Sequence, residues 1–189
     1  MKSEINRQAI WNEGAKAGLI IGGISAAYMC INMLTGSLTA NGSAAAAMLI
    51  SVLNVVLWAA KLLGIIFLMK YFMRKLVSSY EGVSNSDTFK FGAASALLSA
   101  LIYAGFYLAW VLFIEPEALS QALDLAMQQY SQMFDPASKD AIAEMKGSLP
   151  QITFISNFIY CTLYGVILSA IISRNIPSSN PFYNSSDEQ

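Results

Sequence analysis

Four apolar stretches, separated by polar segments, set the pattern of this chain: residues 14–33, 44–69, 91–114 and 151–173. The longest reads AAAAMLISVLNVVLWAAKLLGIIFLM and carries one charge, Lys61. At about 1.5 Å per residue its 26 positions extend roughly 39 Å, more than the ~30 Å of hydrocarbon in a bilayer. Each stretch therefore predicts a transmembrane helix. The expected fold is an all-α polytopic membrane protein of one domain, residues 1–174.

The segments between the spans follow from their residues. Residues 1–13 are polar and mixed in charge, and the apolar run begins too late and lasts too long for a cleaved signal peptide, so helix one is expected to stay. Gly14, Gly18, Gly22 and Ala26 recur every four positions, a small-residue face on which another helix can pack closely. A kink at Gly22-Gly23 is the rival use of that face. Residues 34–43 carry no charge and predict a hairpin loop, with a glycosylation sequon at Asn41-Gly42-Ser43. After the second span, Lys70, Tyr71 and Arg74 suit an interfacial continuation of the helix, and residues 82–87 predict a turn. Pro116 predicts a break near Glu115.

Residues 115–150 form the one sizeable segment outside the bilayer, with six acidic residues against Lys139 and Lys146. Leu119, Leu123, Met127, Tyr130 and Phe134 recur every three or four positions and predict an amphipathic helix. A second short helix is expected from an Asp135 N-cap with Pro136 in the first turn, stopped by Gly147 and Pro150. Residues 175–189 are rich in Ser, Asn and Pro and predict a disordered tail; its Asn180-Pro181-Phe182-Tyr183 matches short peptides read by adaptor domains.

Composition narrows the chemistry. Of 189 residues, 56% are hydrophobic and only 12% charged, with mean hydropathy +0.50. Histidine is absent, which removes the commonest general base and metal ligand. Cys30 and Cys161 lie in apolar stretches without C-x-x-C spacing and read as small buried hydrophobes. No cofactor is expected. Four spans put both termini on one side, where Lys2, Arg7, Lys16, Lys70, Arg74, Lys75, Lys90 and Arg174 also fall. The excess of positive charge predicts that this side is cytoplasmic, with residues 115–150 outside. The basic residues do not cluster, so nucleic acid is not an expected partner.

The polar residues inside the spans carry the candidate chemistry. Ser51, Asn54, Trp58, Lys61 and Gly64 share one face of helix two, expected to turn inward. A lysine near mid-membrane costs about 2.5–3.5 kcal/mol on insertion scales. Three readings account for it. Lys61 can snorkel toward the cytoplasmic end or bond neighbouring helices with no role beyond packing. It can centre a polar cavity with Ser95, Ser99, Tyr103 and Tyr107 of helix three and Asn157, Tyr160, Tyr164 and Thr153 of helix four. Or it can pair with Glu13, the carboxylate nearest its side of the bilayer. No span holds a buried acid, so a relay of paired carboxylates is missing.

Several stretches resemble a family of small bacterial inner-membrane proteins, typical of the Bacteroidetes and catalogued as a domain of unknown function (DUF4199-like). They are Gly14-Ala15-Lys16-Ala17-Gly18, Lys70-Tyr71-Phe72-Met73-Arg74, Thr88-Phe89-Lys90-Phe91-Gly92 and Leu98-Ser99-Ala100-Leu101-Ile102-Tyr103. The resemblance implies the same topology and a bacterial inner membrane, and supplies no site residues. The leading expectation is a non-enzymatic membrane protein that acts through its glycine face and acidic outer segment, with membrane lipids and a second copy or another membrane protein as partners. The alternative is an oligomeric transporter or channel subunit with Lys61 in a polar cavity. An intramembrane enzyme requires Ser99 or Ser156 within reach of the Lys61 amine.

Overall fold

The structure is a computed structural model that describes residues 3–40, 44–130, 135, 141–142 and 144–177. Its helices are α1 (Arg7–Ala40), α2 (Ala44–Ser79), α3 (Asn85–Phe113), α4 (Ala118–Gln129) and α5 (Leu149–Arg174), with a 3-10 turn at Met145–Ser148. Four are long and apolar enough to cross a membrane, within Arg7–Thr35, Met48–Ser79, Asn85–Phe113 and Met145–Arg174. The protein is an all-α integral membrane protein.

Its centre is α3. That helix is flanked by α1 on one side and α5 on the other along most of its length, whereas α2 meets α1 and touches α3 and α5 over a few positions. Small residues make the two close contacts. On one side Gly14, Gly18 and Gly22 face α3: a Cβ on Gly18 would sit 2.7 Å from the Ser95 carbonyl oxygen, and one on Gly22 would sit 3.1 Å from the Ser99 Cα. On the other, a Cβ on Gly165 of α5 would meet the Ala96 Cβ at 2.5 Å, and one on Gly92 would collide with Ser169. Two serines bridge the same seams. Ser95 Oγ donates to the Gly14 carbonyl at 3.0 Å, and Ser169 Oγ donates to the Phe89 carbonyl at 3.1 Å. Ala26 is buried further along the α1 face, as its spacing predicts. The Gly22-Gly23 pair lies within a continuous helix.

One end of the bundle is closed. β1 (Ser3–Glu4) pairs in parallel with β2 (Tyr80–Glu81), Ser3 beside Tyr80 and Glu4 beside Glu81, which brings the start of the chain to the α2–α3 turn. No strand is expected from the sequence. The turn needs Gly82, whose φ of 72° suits a residue without Cβ. It ends earlier than expected, because Ser84 caps α3 and Asp87 already lies in the first helical turn, completing a capping box. Beneath it, Ile10, Met69, Met73, Leu76, Val83, Phe91, Ile172 and Ile176 form the core cluster. Ile176, expected to lie in a disordered tail that opens at Asn175, is only 2% exposed, so the packed chain runs past Arg174. The rest of that expected tail, with its adaptor-type motif, lies outside the described residues.

The far end is built differently. α1 continues to Ala40, so the hairpin loop expected over 34–43 shortens to residues 41–43, which, with the sequon, lie outside the described residues. Thr35 Oγ1 donates to Asn54 Oδ1 at 3.1 Å and holds α1 to α2 there. The amphipathic segment forms α4, which half-buries Leu119, Leu123 and Met127, leaves Tyr130 exposed, and is tied by an Asp124–Lys146 ion pair of 2.6 Å. Phe134 and the Pro136 half of the expected cap lie outside the described residues. Pro150 does not end a helix. It sits in the first turn of α5, where a proline loses no helical hydrogen bond, so the fourth span starts at Leu149 rather than Gln151.

Candidate functional site

The divergence of α2 from α3 and α5 leaves a cavity of about 310 Å³ inside the bundle. Lys61 projects into it for a reason that lies in the helix itself. Side chains of an α-helix lean toward its N-terminus, and α2 runs from the far end back to the β1–β2 end. Lys61 therefore leans away from Lys70 and Arg74. Its ammonium lies 4.7 Å from the centroid of the Tyr28 ring and 5.1 Å from that of Tyr103, between α1 and α3. Ring faces are electron-rich and attract a cation, more strongly where water is thin.

Eight of the residues singled out in the sequence share this cavity, among them Lys61, Ser99, Tyr103, Asn157, Tyr160 and Tyr164. Trp58 and Ser95 line it too, though Ser95 spends its proton on the Gly14 and Phe91 carbonyls. Gly64, Tyr107 and Thr153 stand outside the lining. So do Ser51 and Asn54, two turns or more from Lys61 toward the far end; Ser51 is exposed, and Asn54 is occupied by Thr35. The face expected to turn inward on α2 thus reaches the cavity at Trp58 and Lys61, while toward the far end Asn54 meets Thr35 of α1 instead.

The cavity also draws in Ser25 and Cys161, and Lys61 meets Tyr28, none of them expected as site residues. Ser25 follows Gly18 and Gly22 on the packing face of α1, and Cys161 falls between Asn157 and Tyr164 on one face of α5, so both were within reach of helical periodicity. Tyr28 was not, since its approach depends on how α1 and α2 are rotated.

The ion-pair reading of Lys61 is overturned. Glu13 bonds Lys16, one turn away on its own helix, at 2.6 Å. Among the described residues, no Asp or Glu lines the cavity. Ser99 shares the cavity with Lys61 without a hydrogen bond between them among the described residues, and Ser156 stands outside the lining. Chemically the site offers one cation, hydroxyl and amide donors from Ser99, Tyr103, Tyr160, Tyr164 and Asn157, and apolar walls from Ile21, Leu62, Ile65 and Leu168. That set suits a singly charged anion.

Comparison with known proteins adds one relationship. Residues 16–174 match the family described as protein of unknown function (DUF4199). No curated protein matches the chain. No solved structure matches it either.

Proposed function

The chain belongs to this family of unknown function, and from that premise we propose that it is a non-enzymatic membrane protein that binds a monoanionic ligand at Lys61, as a carrier or channel subunit. One observation carries the reading: among the described residues that line the cavity, the one charged side chain is a cation, held against two aromatic rings with hydroxyl and amide groups in the same lining. A lysine kept for packing alone would gain by leaning toward water. Of the two surfaces expected to recruit a partner, the glycine face is already pressed on α3 at Gly14, Gly18 and Gly22, which leaves the acidic outer segment for that role. A passage through so small a bundle is completed by a second copy of the chain. The basic residues at the β1–β2 end support cytoplasmic termini, and the family resemblance supports a bacterial inner membrane.

The test uses Trp58 at the cavity edge as a fluorescent reporter, with Trp11 and Trp110 replaced by Phe. Monocarboxylates from butyrate to palmitate are titrated against the protein in nanodiscs. At least one is expected to change the signal saturably, and Lys61→Met to abolish that response. A response of equal affinity in both proteins overturns the reading.

A further inference from the structure

We propose that the occupant of the Lys61 cavity is a long-chain carboxylic acid drawn sideways from the lipid phase, entering between α2 and α5 with its carboxyl group at Lys61 and its chain toward the bilayer. This rests on the anion-site reading above and specifies the ligand and its route.

The route follows from where the walls are. Toward the β1–β2 end the cavity stops on Met69, which belongs to the buried cluster with Met73, Ile172 and Ile176. Behind it stand Ile21 and Ser25 of α1, and opposite α2 stand Ser95, Ser99 and Tyr103 of α3. The loose seam is the one between α2 and α5, which touch over few positions. At that seam two cavity residues are turned outward, Trp58 at 55% exposure and Tyr160 at 70%. Both are amphipathic side chains, able to line the passage of an acyl chain and a polar head alike. Lys61 lies nine residues before Lys70, about 13 Å along the helix from that interfacial collar, so the seam opens at hydrocarbon depth. A solute at that depth arrives dissolved in lipid.

The head group follows from charge. One ammonium balances one negative charge, and the remaining polar groups are neutral. A carboxylic acid has a further property that a phosphate ester lacks: it crosses hydrocarbon as the neutral acid. At Lys61 it gives up its O–H proton to the aqueous phase, and the carboxylate left behind pairs with the ammonium already there. The ligand thus carries no charge while it crosses the lipid, and the cation it meets becomes one half of an ion pair, which lowers the cost of a lone charge inside a membrane. The Ser99 and Tyr103 hydroxyls, on the α3 side of the cavity, supply donors for the carboxylate oxygens. Leu62, Ile65 and Leu168 cover the first part of the chain.

The test is equilibrium binding to the full chain in nanodiscs, using radiolabelled palmitate, with hexadecanol, hexadecyl phosphate and butyrate as competitors. Palmitate is expected to bind saturably, with at least tenfold weaker binding to Lys61→Met, while the two weak competitors, hexadecanol and butyrate, displace little. Circular dichroism and monodispersity of Lys61→Met report that it folds. A palmitate analogue with a photoreactive diazirine at its chain end is expected to label the lipid-facing positions of α2 and α5. Butyrate competing as well as palmitate, or hexadecyl phosphate competing better, overturns the acyl-acid proposal and leaves the anion site standing. Palmitate binding that is equal in wild type and Lys61→Met overturns both. Labelling confined to α1 or α4 overturns the lateral route.

Discussion

Lys61 separates two quantities that are usually confounded, folding and binding. Removing a lone cation from the bundle takes away a burial cost of about 2.5–3.5 kcal/mol and cation–π attractions of about 0.5–1 kcal/mol at each of two rings. Lys61→Met should therefore raise resistance to unfolding in SDS by about 1–2 kcal/mol while losing the ligand. A less stable variant would mean that Lys61 holds the helices together. Tyr28→Leu should have the opposite sign, a loss of about 0.5–1 kcal/mol with Tyr28→Phe nearly neutral, because the ring face and not the hydroxyl meets the ammonium. At the closed end, the Ser84 hydroxyl and the Asp87 carboxylate bond each other's backbone N–H. Ser84→Ala should cost about 1 kcal/mol in the same assay. Burial alone would raise the Asp87 carboxyl, but bonds from the Ser84 hydroxyl and amide and from Lys90 hold it below its ordinary value. Its contribution is therefore full above about pH 4 and fades as the pH falls below that, so the Ser84→Ala difference should shrink in acid.

Among the elements, the glycines of α1 make a sharp contrast. A methyl group on Gly18 meets a backbone oxygen that cannot step aside, so Gly18→Ala should part α1 from α3 at a cost of about 1–3 kcal/mol. Gly23 is five residues along the same helix, and a methyl there meets nothing within 4 Å. Gly23→Ala should stabilise by up to about 1 kcal/mol through helix propensity. Equal effects at the two positions, read as SDS unfolding midpoints, would remove the α1–α3 seam as the main contact. The spacing of Gly14, Gly18, Gly22 and Ala26 was legible in the sequence, but the identity of their partner was not. Lipid tails are as apolar as leucine, so hydrophobicity carries no instruction about which helix pairs with which. That is why the most continuous apolar run, α2, proves to be the peripheral helix, and the serine-and-alanine-bearing α3 the central one.

On the scale of the whole molecule, the bundle is a wedge, closed at the β1–β2 end and open where α2 leaves α3 and α5. Backbone amides in the first half of α2 should exchange with solvent deuterium faster than those around Met69 and Met73, which sit in the core cluster. Uniform protection along α2 would contradict the wedge. Single cysteines placed at Ser79 and Gln121 should react with a membrane-impermeant thiol reagent from opposite faces, after Cys30 and Cys161 are replaced by Ser. The β1–β2 pairing puts Ser79 at the same end as the start of the chain, with Gln121 on α4 beyond the far end of α3.

The sequence by itself determined the number of spans, their limits to within a few residues except where α1, α2 and α3 run past their apolar cores, the small-residue faces and a short roster of intramembrane polar groups. Those properties depend on hydrophobic length and helical period, which are local. Tertiary structure decided the rest: that Ser51 and Asn54 leave the site, that Tyr28, Ser25 and Cys161 join its surroundings, that Glu13 is spent on Lys16, and that Lys61 turns from the nearer interface toward two aromatic rings. Each of these depends on the rotation and separation of whole helices, which in a bilayer are set by close fits such as Gly18 on Ser95 rather than by apolarity.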